Sequence, residues 1–183
     1  LQGLEAQGIH PHAWYICDPK MSELATRYTD QKYHFSLSAN TWINHCDLVL
    51  IAVKPQSFKS LADELSPIFI KPSTLLVSIM AGVSIESIRA KLGLETSHPL
   101  VRAMPNTPAL VQAGITGLYG ENLSLQHLEA VNTLFKGVGS VVWCQNEDDL
   151  NKITAVSGSG PAYFFYFLEA LAKAAESLGL APE

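Results

Sequence analysis

Four turns place small, polar or proline residues directly after apolar runs, where a ligand could approach the backbone. They span residues 18–20, 52–55, 80–83 and 104–108. If the runs are parallel strands, their carboxyl ends share one edge of a sheet, and open α/β sheets bind ligands at that edge. Asn106 and Thr107 could hydrogen-bond an amide or a ribose there. Glycine and proline often occur only because they end a strand. The last three turns therefore indicate a site only because all three would lie at the same edge of the sheet.

Residues 18–20 leave the type of ligand open. In dinucleotide-binding folds, an acidic residue after a strand accepts a ribose hydroxyl and disfavours a 2′-phosphate, and Asp18 could take this role. Lys20 could instead pair with such a phosphate, and Asp18 could equally cap the next helix. The phosphate-binding turn G-x-G-x-x-G does not occur in the 183 residues. We expect the complete protein to supply a strand and a glycine turn before Leu1, and further helices after Glu183.

A second segment that could bind a ligand is Ser-Gly-Ser-Gly-Pro at 157–161, which precedes a long apolar run. Pro161 suits the first turn of a helix, and the free amides at a helix start favour an anion such as a carboxylate. A glycine and proline hinge between two helices is the alternative explanation.

Neither hydrolysis nor metal chemistry is indicated. The sequence has no G-x-S-x-G and no H-E-x-x-H motif. We expect its six scattered histidines at the surface, and His10 and His12 lack further donors nearby. An odd number of widely spaced cysteines argues against disulfides and a zinc site and favours a cytoplasmic protein. We expect Cys17 and Cys144, which lie in apolar runs, to be buried.

The composition excludes several classes of protein. Hydrophobic residues make up 48% of the chain and charged residues 16%, which is enough for a sizeable core. A net charge of -5 argues against binding to duplex nucleic acid. No apolar run approaches the roughly 20 residues that a membrane-spanning helix needs.

Hydrophobic patterning predicts that strands and helices alternate, which is typical of an open, mostly parallel α/β sheet. We predict strands at 13–17, 33–37, 47–53, 73–80, 100–104, 114–119 and 139–144. We predict helices at 21–28, 39–45, 56–65, from 84 onward, 125–136, 148–156 and 162–178. Because strands stop after residue 144, we divide the chain into residues 1–146 and a helical part, 147–183. We expect the aromatic residues 163–167 to be buried by another chain or by further residues.

Four motifs together resemble pyrroline-5-carboxylate reductase over nearly the whole chain. They are Ala-Val-Lys-Pro at 52–55, Ser-Ile-Met-Ala-Gly-Val at 78–83, Val-Arg-Ala-Met-Pro-Asn-Thr-Pro-Ala at 101–109 and Ala-Val-Ser-Gly-Ser-Gly-Pro-Ala-Tyr at 155–163. The resemblance implies a Rossmann-like domain and a helical domain for substrate binding and dimerisation. It also implies hydride transfer from NADPH or NADH to C5 of 1-pyrroline-5-carboxylate, giving L-proline, in a homodimer or larger homo-oligomer.

The resemblance also implies which residues bind the ligands. The cofactor residues that it suggests are Asn40 near the adenosine, Ala52, Val53, Lys54 and Pro55 along the cofactor, and Ala81, Gly82 and Asn106 near the nicotinamide. For the substrate it suggests Ser157, Gly158, Ser159 and Gly160. No side chain is assigned as a general acid, so the catalytic residue stays unknown. We expect water, or a hydroxyl beyond these residues, to donate the proton.

Two other functions remain open at this point. One is a different nicotinamide-dependent reductase acting on a small acid, which a catalytic lysine early in the helical part would favour, and Lys152 and Lys173 are the lysines there. The other is an inactive cofactor-binding or assembly domain.

Overall fold

The computed structural model describes residues 12–18, 26, 28–38, 42–66 and 68–180. Its strands are β1 (Trp14–Cys17), β2 (Tyr33–Ser36), β3 (Leu48–Ile51), β4 (Leu75–Ser78), β5 (Leu100–Met104), β6 (Gly114–Glu121) and β7 (Gly139–Trp143). Its α-helices are α1 (Phe58–Leu65), α2 (Ile85–Leu92), α3 (Leu125–Lys136), α4 (Asp149–Ile153) and α5 (Gly160–Ser177). Short 3-10 helices occupy Ile43–His45, Pro55–Ser57 and Thr107–Val111, and a π-helical turn occupies Thr154–Gly158.

The strands form a five-stranded sheet in the order β3-β4-β5-β6-β7 and a separate parallel pair, β1-β2. Every neighbouring pair in the larger sheet is parallel except β5 and β6. The prediction of a mostly parallel α/β sheet is therefore confirmed. The antiparallel step has a simple cause, because the nine residues between Met104 and Gly114 hold only a 3-10 helix and are too short for a crossover helix.

The core lies on both faces of the five-stranded sheet. Successive residues of β4 point to opposite faces, so Leu76 packs with Phe58 of α1 and Ile88 of α2, whereas Leu75 packs with Val131 of α3. All four residues of β4 are buried. This burial explains why β4 carries apolar residues at three consecutive positions, 75–77, rather than at alternating ones.

Two helices, α2 and α3, begin at serine residues whose hydroxyl groups cap the first turn. The Ser84 side chain accepts a hydrogen bond from the backbone N–H of Ser87 at the start of α2, and Ser124 does the same for His127 at α3. Helix α2 ends at Gly93, whose φ of 62° is left-handed and favours glycine.

Several local predictions were wrong or are not covered. Of the helix predicted at 39–45, the structure describes residues 42–45, and the helical part of these is the 3-10 helix Ile43–His45. Most of the helix predicted at 21–28 lies outside the described residues. His98 is buried rather than exposed. Cys17 is exposed and Cys144 only partly buried, and none of the three cysteines forms a disulfide. Among the described residues, no helix has the length and apolar character that a membrane span requires.

Candidate functional site

Three of the four turns singled out in the sequence lie at one edge of the sheet. Ile51 of β3 is in register with Ser78 of β4, and Ser78 is in register with Arg102 of β5. The strands run parallel, and adjacent strands lie about 4.8 Å apart. The turns at 52–55, 80–83 and 104–108 therefore extend side by side from neighbouring strand ends. We call this edge the rim.

The rim is open, and the turn at 80–83 presents small residues to it. Ala52, Lys54 and Pro55 are exposed, as are Ala81 and Gly82. Gly82 has a φ of 71°, and a Cβ placed on it would meet no atom within 4 Å. A flat ligand could therefore approach the backbone here without meeting a side chain.

Buried neighbours hold the rim turns in place. Val53 is half-buried and packs against the core below α1, and Met80 is fully buried in the same cluster. The backbone N–H of Met80 donates to the Ser78 hydroxyl at 3.2 Å, which shapes the turn into α2. Asn40 and Lys20, which the sequence also suggested, lie outside the described residues.

Asn106 connects the rim to the helical part of the chain. Its Oδ1 accepts a hydrogen bond from the backbone N–H of Ile115 in β6 at 2.9 Å. Its Nδ2 donates to the backbone carbonyl of Ser157 at 3.2 Å. The structure thus brings the turn at 104–108 against the Ser-Gly-Ser-Gly segment, 51 residues further along the chain.

The segment at 157–160 does not break the chain into two separate helices, as a glycine and proline hinge would. A π-helical turn, Thr154–Gly158, links α4 to α5, with the Thr154 and Ser157 hydroxyls donating to the carbonyls of Leu150 and Ile153. Such turns are frequent at functional sites. Ser157, Gly158, Ser159 and Gly160 are all half-buried. A Cβ on Gly158 would lie 3.6 Å from Met104 Cε, so this turn sits close to the end of β5.

Helix α5 begins directly after this turn. Pro161 lies in its first turn, as predicted, and Ser159 precedes the helix without a side-chain capping hydrogen bond. The backbone N–H of Ser159 donates to the Thr154 carbonyl and that of Ala162 to the Ser159 carbonyl, and Pro161 has no N–H, so most of the free amides predicted for this helix start are not available to an anion.

A glycine in β6 allows α4 to pack close to the sheet. A Cβ on Gly117 would lie 2.7 Å from Ile153 Cδ1 and 3.2 Å from Leu150 Cδ2. A side chain at this position would collide with the Ile153 and Leu150 side chains of α4 unless these shifted. Because α4 leads into the π-helical turn, Gly117 helps to set the distance between that turn and the rim.

Sequence reasoning missed an ion pair below the rim. Arg102 in β5 donates from Nη1 to Glu147 Oε1 at 2.7 Å, and the Arg102 side chain is 8% exposed. The available signal was an arginine inside the apolar run of β5, because a buried charge needs a partner. Nearby, burial raises the pKa of Tyr119, and the negative charges of Glu121 and Glu147 raise this pKa further.

Comparison with known proteins decides the family. A family model described as pyrroline-5-carboxylate reductase dimerisation matches residues 147–183, and one described as NADP oxidoreductase, coenzyme F420-dependent, matches residues 1–82. A pyrroline-5-carboxylate reductase from Pseudomonas aeruginosa is 38% identical over 182 residues, which cover 99% of this chain and 66% of that protein. The chain belongs to the pyrroline-5-carboxylate reductase family.

Solved structures of pyrroline-5-carboxylate reductases match the fold closely. The enzyme from Coxiella burnetii superposes with a TM-score of 0.84 at 36% identity, covering 98% of this chain and 66% of that one. The Plasmodium falciparum enzyme, solved with NADP bound, gives 0.80 at 28% identity, with coverages of 98% and 64%. The chain thus spans about two thirds of the length of these pyrroline-5-carboxylate reductases.

Proposed function

We propose that the protein reduces 1-pyrroline-5-carboxylate to L-proline with NADPH or NADH, as the last step of proline synthesis. The observation that carries this proposal is the Asn106 bridge. It holds one rim turn, at 104–108, against the Ser157 segment, so a cofactor motif of the family lies beside its substrate motif. Proximity of two ligands is what a hydride transfer requires.

The rim residues fit a nicotinamide cofactor. Ala52, Ala81 and Gly82 are small and exposed, and the space beside Gly82 is open. Val53, Lys54 and Pro55 would lie along the cofactor, with Ala81, Gly82 and Asn106 near its nicotinamide. The relative from P. falciparum was solved with NADP bound, which supports a cofactor of this class. Asn40 remains our candidate for the adenosine end.

The cofactor supplies the hydride, and the chain supplies binding and orientation. Ser157, Gly158, Ser159 and Gly160, which are half-buried beside the turn at 104–108, would form the wall of the substrate site. A protonated cyclic imine is already electrophilic, so placing its C5 at the rim contributes most of the acceleration. The ring nitrogen gains its proton from water or from a hydroxyl outside this set of residues.

We further propose that residues 1–146 form the cofactor domain and residues 147–183 begin the substrate and dimerisation domain. The change from sheet to helices after Trp143 supports this division. Residues 163–168 of α5 are exposed in the single chain, which favours a homodimer or a larger homo-oligomer. A cytoplasmic location stays a prediction from the cysteine content.

A different nicotinamide-dependent reductase is less well supported. The two lysines that could have favoured it form exposed ion pairs within their own helices, Lys152 with Asp149 and Lys173 with Glu169. A prephenate dehydrogenase from A. aeolicus, at 16% identity and a TM-score of 0.61, is similar in fold alone.

The test is turnover by the full-length gene product. We expect it to oxidise NADPH or NADH in the presence of 1-pyrroline-5-carboxylate, with L-proline as the product by chromatography. A panel of small 2-hydroxy acids with the oxidised cofactor serves as the control and should give no turnover. A protein that binds the cofactor but reduces no imine would contradict the proposal and favour an inactive cofactor-binding domain.

A further inference from the structure

The carboxylate of Glu147 is shared by two parts of the fold. Its Oε1 accepts hydrogen bonds from Arg102 Nη1 at 2.7 Å and from the backbone N–H of Ile85 at 2.8 Å. Arg102 lies in β5, two residues before Met104, where the strand ends and the turn at 104–108 begins. Ile85 is the first residue of α2, and only the capping Ser84 separates it from the turn at 80–83. One oxygen atom therefore joins the supports of two neighbouring rim turns.

The main chain of Glu147 starts the helical part of the protein. Its carbonyl accepts a hydrogen bond from the backbone N–H of Leu150 at 3.1 Å, and Leu150 is the buried residue of α4. Helix α4 continues through the π-helical turn into α5. The position of Glu147 thus sets where the segment at 157–160 begins, relative to the rim.

The contact between Arg102 and Glu147 is largely shielded from solvent, which distinguishes it from a surface ion pair. The side chains of Arg102 and Glu147 are 8% and 27% exposed. A buried ion pair is no more stabilising than a well-packed apolar pair of the same volume, so stability alone does not account for charges at this point. Two charged partners with directional hydrogen bonds fix a geometry better than apolar packing does.

A second ion pair joins α2 to the sheet and can be compared with the pair of Arg102 and Glu147. Arg89 Nη1 contacts Glu121 Oε2 at 2.6 Å, with side chains 14% and 36% exposed. Glu121 is in register with Leu100, the first residue of β5, so this pair lies at the edge opposite the rim. The two pairs are alike in chemistry and burial and differ in their position relative to the site.

We propose that Glu147 is a positioning residue for the reduction. By holding Arg102 and Ile85, it fixes the rim turns relative to the substrate segment and so fixes the approach of the hydride to the imine carbon. This inference rests on the proposed function, because it concerns the distance between the two ligands of that reaction.

The experiment compares Glu147→Ala with Glu121→Ala in the full-length enzyme. We expect Glu147→Ala to lower kcat about tenfold, while the Kd for NADPH stays within about twofold of the unmutated value. With NADPH deuterated at the transferred hydrogen, the isotope effect on kcat should increase, because a misplaced hydride makes the chemical step slower. Both variants lose one ion pair and should lower the melting temperature by similar amounts. Glu121→Ala should nevertheless leave kcat and the isotope effect within about twofold of the unmutated values.

Glu147→Gln is a second, more conservative variant, which tests the proposal even if Glu147→Ala does not fold. The glutamine keeps an oxygen for the Ile85 N–H and loses the charge that pairs with Arg102, and we expect kcat to fall about threefold. If either soluble Glu147 variant kept the kcat and isotope effect of the unmutated enzyme, or if Glu121→Ala reduced kcat equally, the positioning role would be wrong. Absence of any turnover by the unmutated enzyme would overturn the proposed function as well.

Discussion

At the scale of single residues, Gly82 and Gly93 form a natural comparison at the two ends of α2. Both have left-handed φ values, 71° and 62°, and neither has an atom within 4 Å of a built Cβ. Changing either one to alanine should cost about 1 kcal/mol of stability for the same backbone reason. If the cofactor lies on the rim, only Gly82→Ala should also weaken NADPH binding, by about tenfold. Fluorescence titration and denaturant unfolding separate the two effects, and equal Kd values for both variants would contradict a rim site.

Asn106 offers a second test at this scale. Asn106→Asp keeps an oxygen for the Ile115 N–H but cannot donate to the Ser157 carbonyl, so a carboxylate faces a carbonyl oxygen. We expect kcat/KM to fall at least tenfold, or about 1.4 kcal/mol of transition-state stabilisation. The matched control is Asn122→Asp, because the Asn122 Nδ2 also donates to backbone carbonyls, those of Thr96 and His98, but at the far end of β6. A control that lost as much activity as Asn106→Asp would show that the bridge has no special role.

The buried His98 should make stability depend on pH. Burial lowers the pKa of its imidazole below the usual 6.5 and the nearby Arg89 lowers it further, while a hydrogen bond to the Thr74 backbone acts in the opposite direction. Its Nε2 has no hydrogen-bond partner among the described residues. Below about pH 6.5 the unfolded state gains a proton that the folded state does not bind, so the free energy of unfolding falls until the folded pKa is reached.

The variant His98→Gln tests this dependence. Its free energy of unfolding should fall less than that of the unmutated protein when denaturant unfolding is repeated at about pH 7.5 and about pH 5.5. His45→Gln removes an exposed histidine and should keep the original pH dependence. Parallel curves for the protein and His98→Gln would exclude His98 as the cause.

At the scale of elements, β6 and β7 approach each other at two glycines. A Cβ on Gly139, whose φ is 148°, would lie 2.0 Å from the carbonyl oxygen of Gly114. Because this oxygen belongs to the backbone, the clash cannot be relieved by a side-chain rotation. Gly139→Ala should therefore lower the free energy of unfolding by more than about 2 kcal/mol in denaturant unfolding. Ser140→Ala, at the exposed neighbouring position, should change it by less than about 0.5 kcal/mol.

The elements were largely predictable because apolar runs and their turns are local signals. All seven predicted strands are present, and the rim motifs lie at the strand ends where the sequence put them. The antiparallel direction of β6 was not predicted, because direction depends on pairing partners rather than on hydrophobic pattern. The π-helical turn is not predictable from the sequence, because the glycine and proline residues at 158–161 indicate the end of a helix rather than its continuation. The pair of Arg102 and Glu147 is 45 residues apart in the chain, and only the folded structure joins them.

At the scale of the whole molecule, α5 is the element that the single chain leaves uncovered. None of its residues is buried, and Phe164, Tyr166 and Phe167 are 73%, 76% and 63% exposed. An exposed aromatic surface of this extent marks an interface. The match of residues 147–183 to a dimerisation family model agrees with this expectation.

The full-length protein should therefore sediment as a dimer or a multiple of it. Replacing both Phe164 and Phe167 with glutamate puts two charges on the same face, one turn apart, and should shift the protein to monomers, because burying unpaired charges opposes association. Leu125→Glu is the matched control, since Leu125 is 81% exposed on α3 and should leave the mass unchanged. Analytical ultracentrifugation at several concentrations measures all three proteins. A monomeric parent protein, or a double variant that keeps the mass of the parent, would exclude α5 as the contact between subunits.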